Sequence, residues 1–236
     1  MIAVVNHEIS SDFERVTGIT TVPLKPYKKL DHPVQSHSDM LICVIDRIVF
    51  CYEDYFNENI GVFKAIIDEE YTVKFVSNQC KSQYPYDISL NVLIMGKDIF
   101  CKEEYTAKEI IDYANNNGYI IHNINQGYSA CSTLAINENV AITGDVGMKK
   151  ALEQAGKNVF LVDHSKIRLK GYNHGFVGGS SAANGFKIYF FGNPNTIDGF
   201  QNITEIISDY EIILIPTEDN MLFDYGGVKV FEKPQF

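Results

Sequence analysis

The sequence has no tryptophan, and its 5 cysteines include no Cys-x-x-Cys pair. An odd number of thiols without that spacing excludes a disulfide framework and a zinc ribbon. Free thiols fit a reducing compartment, so a cytoplasmic protein is expected. Positive charge is scarce: 20 Lys and Arg stand against 30 Asp and Glu, a net charge of −10. Such a chain lacks the basic face that general nucleic-acid binding requires. No apolar run approaches the roughly 18 residues of a membrane span. Residues 1–8 show neither the basic start nor the apolar stretch of a secretion signal. The expected partner is a small polar or cationic ligand, with no nucleic acid and no membrane. Bulk for a core comes from 15 Phe and 14 Tyr.

What the sequence does contain is a recurring order of helix, apolar strand, polar loop and two-strand hairpin. Self-similarity at such a period marks a repeat architecture. The first unit starts at a capping-box segment, Ser11 to Glu14, passes an extended stretch at residues 21–24 and closes with residues 38–50. The second has a helix from Val62, a strand at residues 71–76 and a hairpin at 91–100. In the third, Thr106 and Glu109 form a capping box, Gly118 ends the helix, residues 119–121 are the strand and 132–143 the hairpin. The fourth helix is capped by Asp145 and stops at Gly156; a strand at 159–162 and a hairpin at 180–191, turned by Asn184-Gly185, follow. The fifth helix is expected from Phe200 to Asp209, the strand at 211–216 and the hairpin at 220–231, turned at Tyr225-Gly226-Gly227. Dividing 236 residues by five gives about 47 per unit. A helix in every unit excludes an all-β propeller, whose blades of about 40–45 residues hold only strands. The fold class is therefore α/β: a single domain over residues 1–236 with five-fold pseudo-symmetry.

Five such units closed into a ring bring the starts of their hairpins toward one axis. Those segments are polar and hold His37, Asp39, Asn91, Cys131, Ser132, Asn173, His174, Glu218, Asp219 and Asn220. Carboxylates, two imidazoles and a thiol in one pocket suit a small cation or polar metabolite. His37 and Asp39, two apart in an extended segment, face one side as a base and its orienter. Glu218, Asp219 and Asn220 can bind a guanidinium or ammonium by paired hydrogen bonds. The Gly178-Gly179-Ser180-Ser181 run could offer backbone N–H groups to an anion. No metal-ligand spacing, Walker lysine or Gly-x-Gly-x-x-Gly after the first strand is present, so no metal and no cofactor are expected.

The five units, His37-Ser38-Asp39, the segment from Gln126 to Ser132 and the glycine-rich segment from Gly171 to Gly179 resemble the guanidine-modifying-enzyme, or pentein, superfamily. They look most like a bacterial branch of it, over essentially the whole chain. The resemblance implies a five-bladed pseudo-symmetric α/β-propeller with its site on the axis. Arginine deiminases, dimethylarginine hydrolases and amidinotransferases belong to this superfamily, and so does a non-catalytic ribosome-binding translation factor. In the enzymes a Cys attacks the guanidinium carbon, a His is the general acid/base and carboxylates grip the nitrogens. The resemblance also implies a nucleophilic Cys in the last unit, where this chain has Glu218-Asp219-Asn220-Met221 and no Cys after Cys131. Two readings follow. In one, a hydrolase or amidinotransferase uses Cys131 as nucleophile and His37 or His174 as acid/base; Asp39, Glu218 and Asp219 grip the cation, assisted by Asn91, Ser132, Asn173 and Asn220. In the other, a non-catalytic ligand-binding or interaction module keeps the fold without the nucleophile. Both require Asp39, Glu218 and Asp219 to converge on the axis.

Overall fold

The computed structural model of the chain describes residues 1–234. Its strands are β1 (Ile2–Asn6), β2 (Thr20–Leu24), β3 (Ile42–Ile45), β4 (Ile48–Tyr52), β5 (Thr72–Val76), β6 (Leu93–Met95), β7 (Asp98–Cys101), β8 (Ile120–Asn123), β9 (Thr133–Ala135), β10 (Val140–Thr143), β11 (Asn158–Leu161), β12 (Ser181–Asn184), β13 (Lys187–Phe191), β14 (Glu211–Ile215) and β15 (Val228–Phe231). The α-helices are α1 (Ser10–Thr17), α2 (Ser38–Leu41), α3 (Glu53–Glu58), α4 (Ile60–Asp68), α5 (Lys108–Asn116), α6 (Ser129–Ser132) and α7 (Val146–Gln154).

The strands form five three-stranded sheets: β15-β1-β2, β3-β4-β5, β6-β7-β8, β9-β10-β11 and β12-β13-β14. In each, the middle strand pairs antiparallel with one neighbour and parallel with the other. A parallel neighbour requires a crossover; α-helices supply it in four of the sheets, and 3₁₀ turns alone supply it between β13 and β14. The middle strands are continuous β-branched and aromatic runs because both of their faces are covered: Val4, Phe50, Phe100, Ile142 and Phe190 are fully buried. Phe13, Phe63, Phe191 and Phe231 are also fully buried, so the bulk of the interior is supplied without tryptophan.

Inner strands β6 and β9, β9 and β12, and β12 and β15 lie side by side. A cavity of about 290 Å³ is lined by Val44, Leu93, Leu134, Ala182 and Lys229, one from the inner strand of each sheet.

Several local expectations change. Segment 220–231 is not a hairpin: β15 pairs antiparallel with β1, Ile2 opposite Phe231 and Val5 opposite Val228, so the first sheet joins both ends of the described chain. Residues 38–41 and 129–132 are short helical turns, α2 and α6, that precede the inner strands. Residues 200–209 hold only a 3₁₀ turn, Phe200–Ile203, so the fifth unit lacks its α-helix. Asp145 caps α7 as expected, its Oδ1 accepting from the Met148 N–H at 2.7 Å. The two capping boxes do not form. Glu14 instead accepts from Thr21, and Glu109 from Ser77 on the neighbouring unit, because tertiary partners outcompete the local ones. Among the described residues, no helix is long and apolar enough to cross a membrane.

Candidate functional site

The short helix α2 lifts His37 and Asp39 toward the loop before β15. The Ser38 hydroxyl and the Asp39 N–H both donate to the Gly226 carbonyl, at 2.8 and 3.2 Å. Gly226 has φ +79°, and a Cβ there would lie 2.3 Å from the His37 Cβ, so only glycine permits this approach. The same loop delivers Asp224. Its Oδ2 accepts from the Phe176 N–H at 2.8 Å and its Oδ1 from the Gly226 N–H at 3.0 Å. Gly179 packs so tightly that a Cβ there would lie 1.9 Å from Asp224 Oδ1.

Asn91, before β6, ties three units together. Its amide nitrogen donates to the Asp39 carbonyl at 3.1 Å and to Cys131 Sγ at 2.9 Å. Its carbonyl oxygen accepts from the Ala130 N–H at 2.8 Å. All its polar capacity serves positioning of the loops that carry Asp39 and Cys131.

His37, Asp39, Asp224 and Cys131 are each at most 4% exposed. The His37 Nδ1 lies 3.7 Å from Asp224 Oδ1 and 4.0 Å from Asp39 Oδ1, beyond hydrogen-bond length. Burial sets the protonation states. It depresses His37 to about 3 and raises Asp39 to about 6. It raises Asp224 to about 8, with the Asp39 charge adding to the effect. The group thus retains a proton at neutral pH, and its imidazole is neutral. Neither oxygen of Asp39 has a hydrogen-bond partner among the described residues. Burial, helped by the Asp39 and Asp224 charges, pushes the Cys131 thiol well above its ordinary range. Cys131 is held as a neutral thiol, and its hydrogen-bonding partners are Asn91 and, at 4.0 Å, Met40 Sδ, with no imidazole among them.

His37, Cys131 and Asp224 reach the wall of a second cavity of about 240 Å³. Its other walls are apolar and aromatic: Val34, Met40, Tyr128, Leu169, Tyr172 and Phe176. Tyr128 is fixed by its hydroxyl donating to Asp87 Oδ2 at 2.7 Å. Segment 168–176 contributes Leu169, Tyr172, Asn173, His174 and Phe176 to the wall. It is anchored by Arg168 to Asp219 at 3.3 Å, Lys170 to Glu8 at 3.2 Å and Tyr172 to Asp31 at 2.7 Å.

Of the residues singled out from the sequence, His37, Cys131, Asn173 and His174 line this cavity. Asp39 and Asn91 lie directly behind it. Asn173 is exposed, and His174 is half-buried, its ring tilted against that of His164 with centroids 4.4 Å apart. Ser132 is buried with its hydroxyl donating to the Ser129 carbonyl at 3.2 Å, turned to its own chain. Glu218, Asp219 and Asn220 are exposed and do not line it. The expected convergence of Asp39, Glu218 and Asp219 does not occur: Asp219 pairs with Arg168 on the surface, and Asp224 is the second carboxylate beside His37. The 178–181 run does not present its N–H groups to an anion. Gly179 donates to the Cys131 carbonyl and Ser180 to the Phe176 carbonyl. Asp224 was missed because Tyr225-Gly226-Gly227 reads as a hairpin turn. The available signal was an acidic residue in Phe223-Asp224-Tyr225, between apolar neighbours, just ahead of a final strand. Among the described residues no group of three or more His, Cys, Asp or Glu side chains could hold a metal ion.

Residues 3–229 match the family described as "Family of unknown function (DUF6873)", and the chain belongs to it. No curated protein sequence matches. Solved structures do. A mutant DDAH from Pseudomonas aeruginosa complexed with citrulline has a TM-score of 0.55 at 8% identity, covering 92% of each chain. An amidinotransferase of a saxitoxin biosynthetic pathway from Microseira wollei has 0.58 at 10% identity, covering 98% of this chain and 81% of that one. An agmatine deiminase from C. jejuni has 0.53 at 11% identity, covering 99% and 82%. The chain therefore has the fold of the guanidine-modifying, or pentein, superfamily.

Proposed function

We propose that the five units close into one propeller-like domain whose aromatic-walled cavity binds a small guanidinium- or amidinium-bearing compound. The observation that carries this reading is the pair of buried carboxylates, Asp39 and Asp224, neither within 4.0 Å of a Lys or Arg among the described residues. Two acids so placed are costly without a counter-cation. A planar cation entering along Tyr128, Tyr172 and Phe176 meets ring faces first and the Asp224 carboxylate at the end. Its arrival displaces the proton that Asp224 otherwise holds. Fold relatives complexed with citrulline, or described as an amidinotransferase and an agmatine deiminase, support the choice of guanidino chemistry.

Binding comes before turnover in this reading. In the last unit, where the resemblance implies a nucleophilic Cys, the side chain that reaches the cavity is Asp224. A second reading rests on Cys131 sharing the cavity wall with His37. A bound cation beside Cys131 stabilises its thiolate, with the thiol proton passing to His37. The thiolate then adds to the guanidinium carbon, and His37 returns the proton to the departing amine; water or an acceptor amine releases the product.

The test is a thermal-shift screen of arginine, methylated arginines, agmatine and creatine-like compounds against wild type and Asp224→Asn. Stabilisation by guanidino compounds that the variant loses supports the binding reading; a flat screen defeats it. Alkylation by a haloacetamidine that Cys131→Ser abolishes supports the covalent reading, and an unchanged intact mass defeats that one.

A further inference from the structure

The aromatic-walled cavity has a buried end and an open end. His37, Met40, Cys131 and Asp224 are each at most 4% exposed, whereas Tyr172 and Asn173 are exposed and Leu169 is half-buried. Asp224 is the one carboxylate in the wall among the described residues. A guanidinium seated on it therefore sends its tail toward Leu169, Tyr172 and Asn173. Val34, Leu169 and the aromatic rings make the rest of the wall, so that tail leaves water against apolar surface.

No Lys or Arg lines the cavity among the described residues. Arg168 and Lys170, which flank Leu169 in the chain, line an adjoining open groove instead; the groove shares Leu169, Tyr172 and Asn173 with the cavity. Each of the two is already paired, Arg168 with Asp219 and Lys170 with Glu8. The tyrosine hydroxyls are committed as well. Tyr172 donates to Asp31 and Tyr128 to Asp87, both at 2.7 Å. The His174 Nδ1 lies against the Gly175 carbonyl at 3.0 Å. A carboxylate on the tail would give up its water here without gaining an opposite charge.

We infer, resting on the guanidino reading above, that the ligand is a simple alkylguanidine whose tail is apolar and carries no carboxylate. Guanidino acids such as arginine are selected against by the missing counter-cation. An ammonium at the open end meets the exposed Asp31 instead, so agmatine is tolerated. The volume of about 240 Å³ agrees with this class: it lies below the ~300–1,000 Å³ of most ligand sites and suits one guanidinium on a short chain. Leu169 is then a specificity residue, because it stands at the open end, where a cation for a carboxylate would have to be.

The experiment is calorimetric titration of the whole chain with butylguanidine and with 4-guanidinobutyrate, which puts a carboxylate in place of the terminal methyl group. Butylguanidine should bind about tenfold more tightly, or better. Leu169→Lys, at a half-buried position, should shift that ratio about tenfold toward 4-guanidinobutyrate, while Leu169→Met leaves it unchanged. Binding of 4-guanidinobutyrate as tightly as butylguanidine overturns the inference, and so does a ratio that Leu169→Lys does not move. Agmatine titrated in parallel separates this inference from the reading beneath it. Agmatine binding while butylguanidine fails defeats the inference alone; failure of both defeats the guanidino reading and the inference with it.

Discussion

Asp39→Asn should stabilise the ligand-free protein at about pH 8 and do nothing near pH 4. Burial raises the Asp39 pKa from 3.8 to about 6. The sign follows from linkage. The folded state holds the proton more tightly than the unfolded state, so the contribution to stability is fully present below 3.8 and is lost as pH rises through about 6. A difference of about 2 in pKa at 1.36 kcal/mol each is about 3 kcal/mol. Asparagine is nearly isosteric and never ionises, so the variant avoids that loss. It also removes the Asp39 charge that helps raise Asp224. His37 acts in the opposite direction. Its pKa is lowered from 6.5 to about 3, so its contribution is lost as pH falls below 6.5. His37 is present in both proteins, so its contribution cancels in the difference between them. Urea denaturation at several pH values measures it. For a chain of this length about 3 kcal/mol corresponds to a rise of roughly 6–12 °C in melting temperature. A midpoint at about pH 8 that is unchanged or lower in the variant, or a gain that persists near pH 4, would refute the description of Asp39 as a buried acid without partners.

Agmatine affinity should rise with pH until Asp224 is ionised, near 8, and then level off, because the cation must displace the Asp224 proton; affinity that falls over this range excludes Asp224 as its partner. Gly179→Ala forces a Cβ to within 1.9 Å of Asp224 Oδ1, so it should cost about 2 kcal/mol or more in urea denaturation and abolish agmatine binding. Glu218→Gln and Asp219→Asn, both on the surface, should leave agmatine affinity within twofold of wild type by calorimetry, since exposed charges contribute about 0–1 kcal/mol. Iodoacetamide should modify Cys131 far more slowly in the ligand-free protein than in guanidinium hydrochloride, as peptide mapping by mass spectrometry will show, because the thiol is 4% exposed and held protonated.

Much of the fold was legible because it depends on local order. Each buried middle strand announces itself as an apolar run, and the polar pairs Asp46-Arg47 and Gly96-Lys97 fall between paired strands. Repetition of helix, strand and hairpin then gave the five sheets. The last unit was misread at both ends. Residues 200–209 are apolar enough for a helix yet form only 3₁₀ turns, and the partner of β15 is β1, a pairing that no short-range turn signal encodes.

The site divides in the same way. Composition and repetition placed His37, Asp39, Asn91 and Cys131 in the loops that lead to the inner strands, and those loops do meet. Which acids are buried was beyond sequence. Glu218 and Asp224 lie six residues apart in one polar-looking segment, yet Glu218 is exposed and Asp224 is 2% exposed. The difference comes from Gly179 and Gly226, distant and nearby in the chain, whose missing side chains open the space into which Asp224 and His37 fit. The sequence determined the repeat and the residue types carried by the loops before the inner strands, because helices and strands are encoded by neighbours. Only the tertiary structure decided which of them lose water, and loss of water sets the protonation of Asp39, Asp224, His37 and Cys131 on which any chemistry here depends.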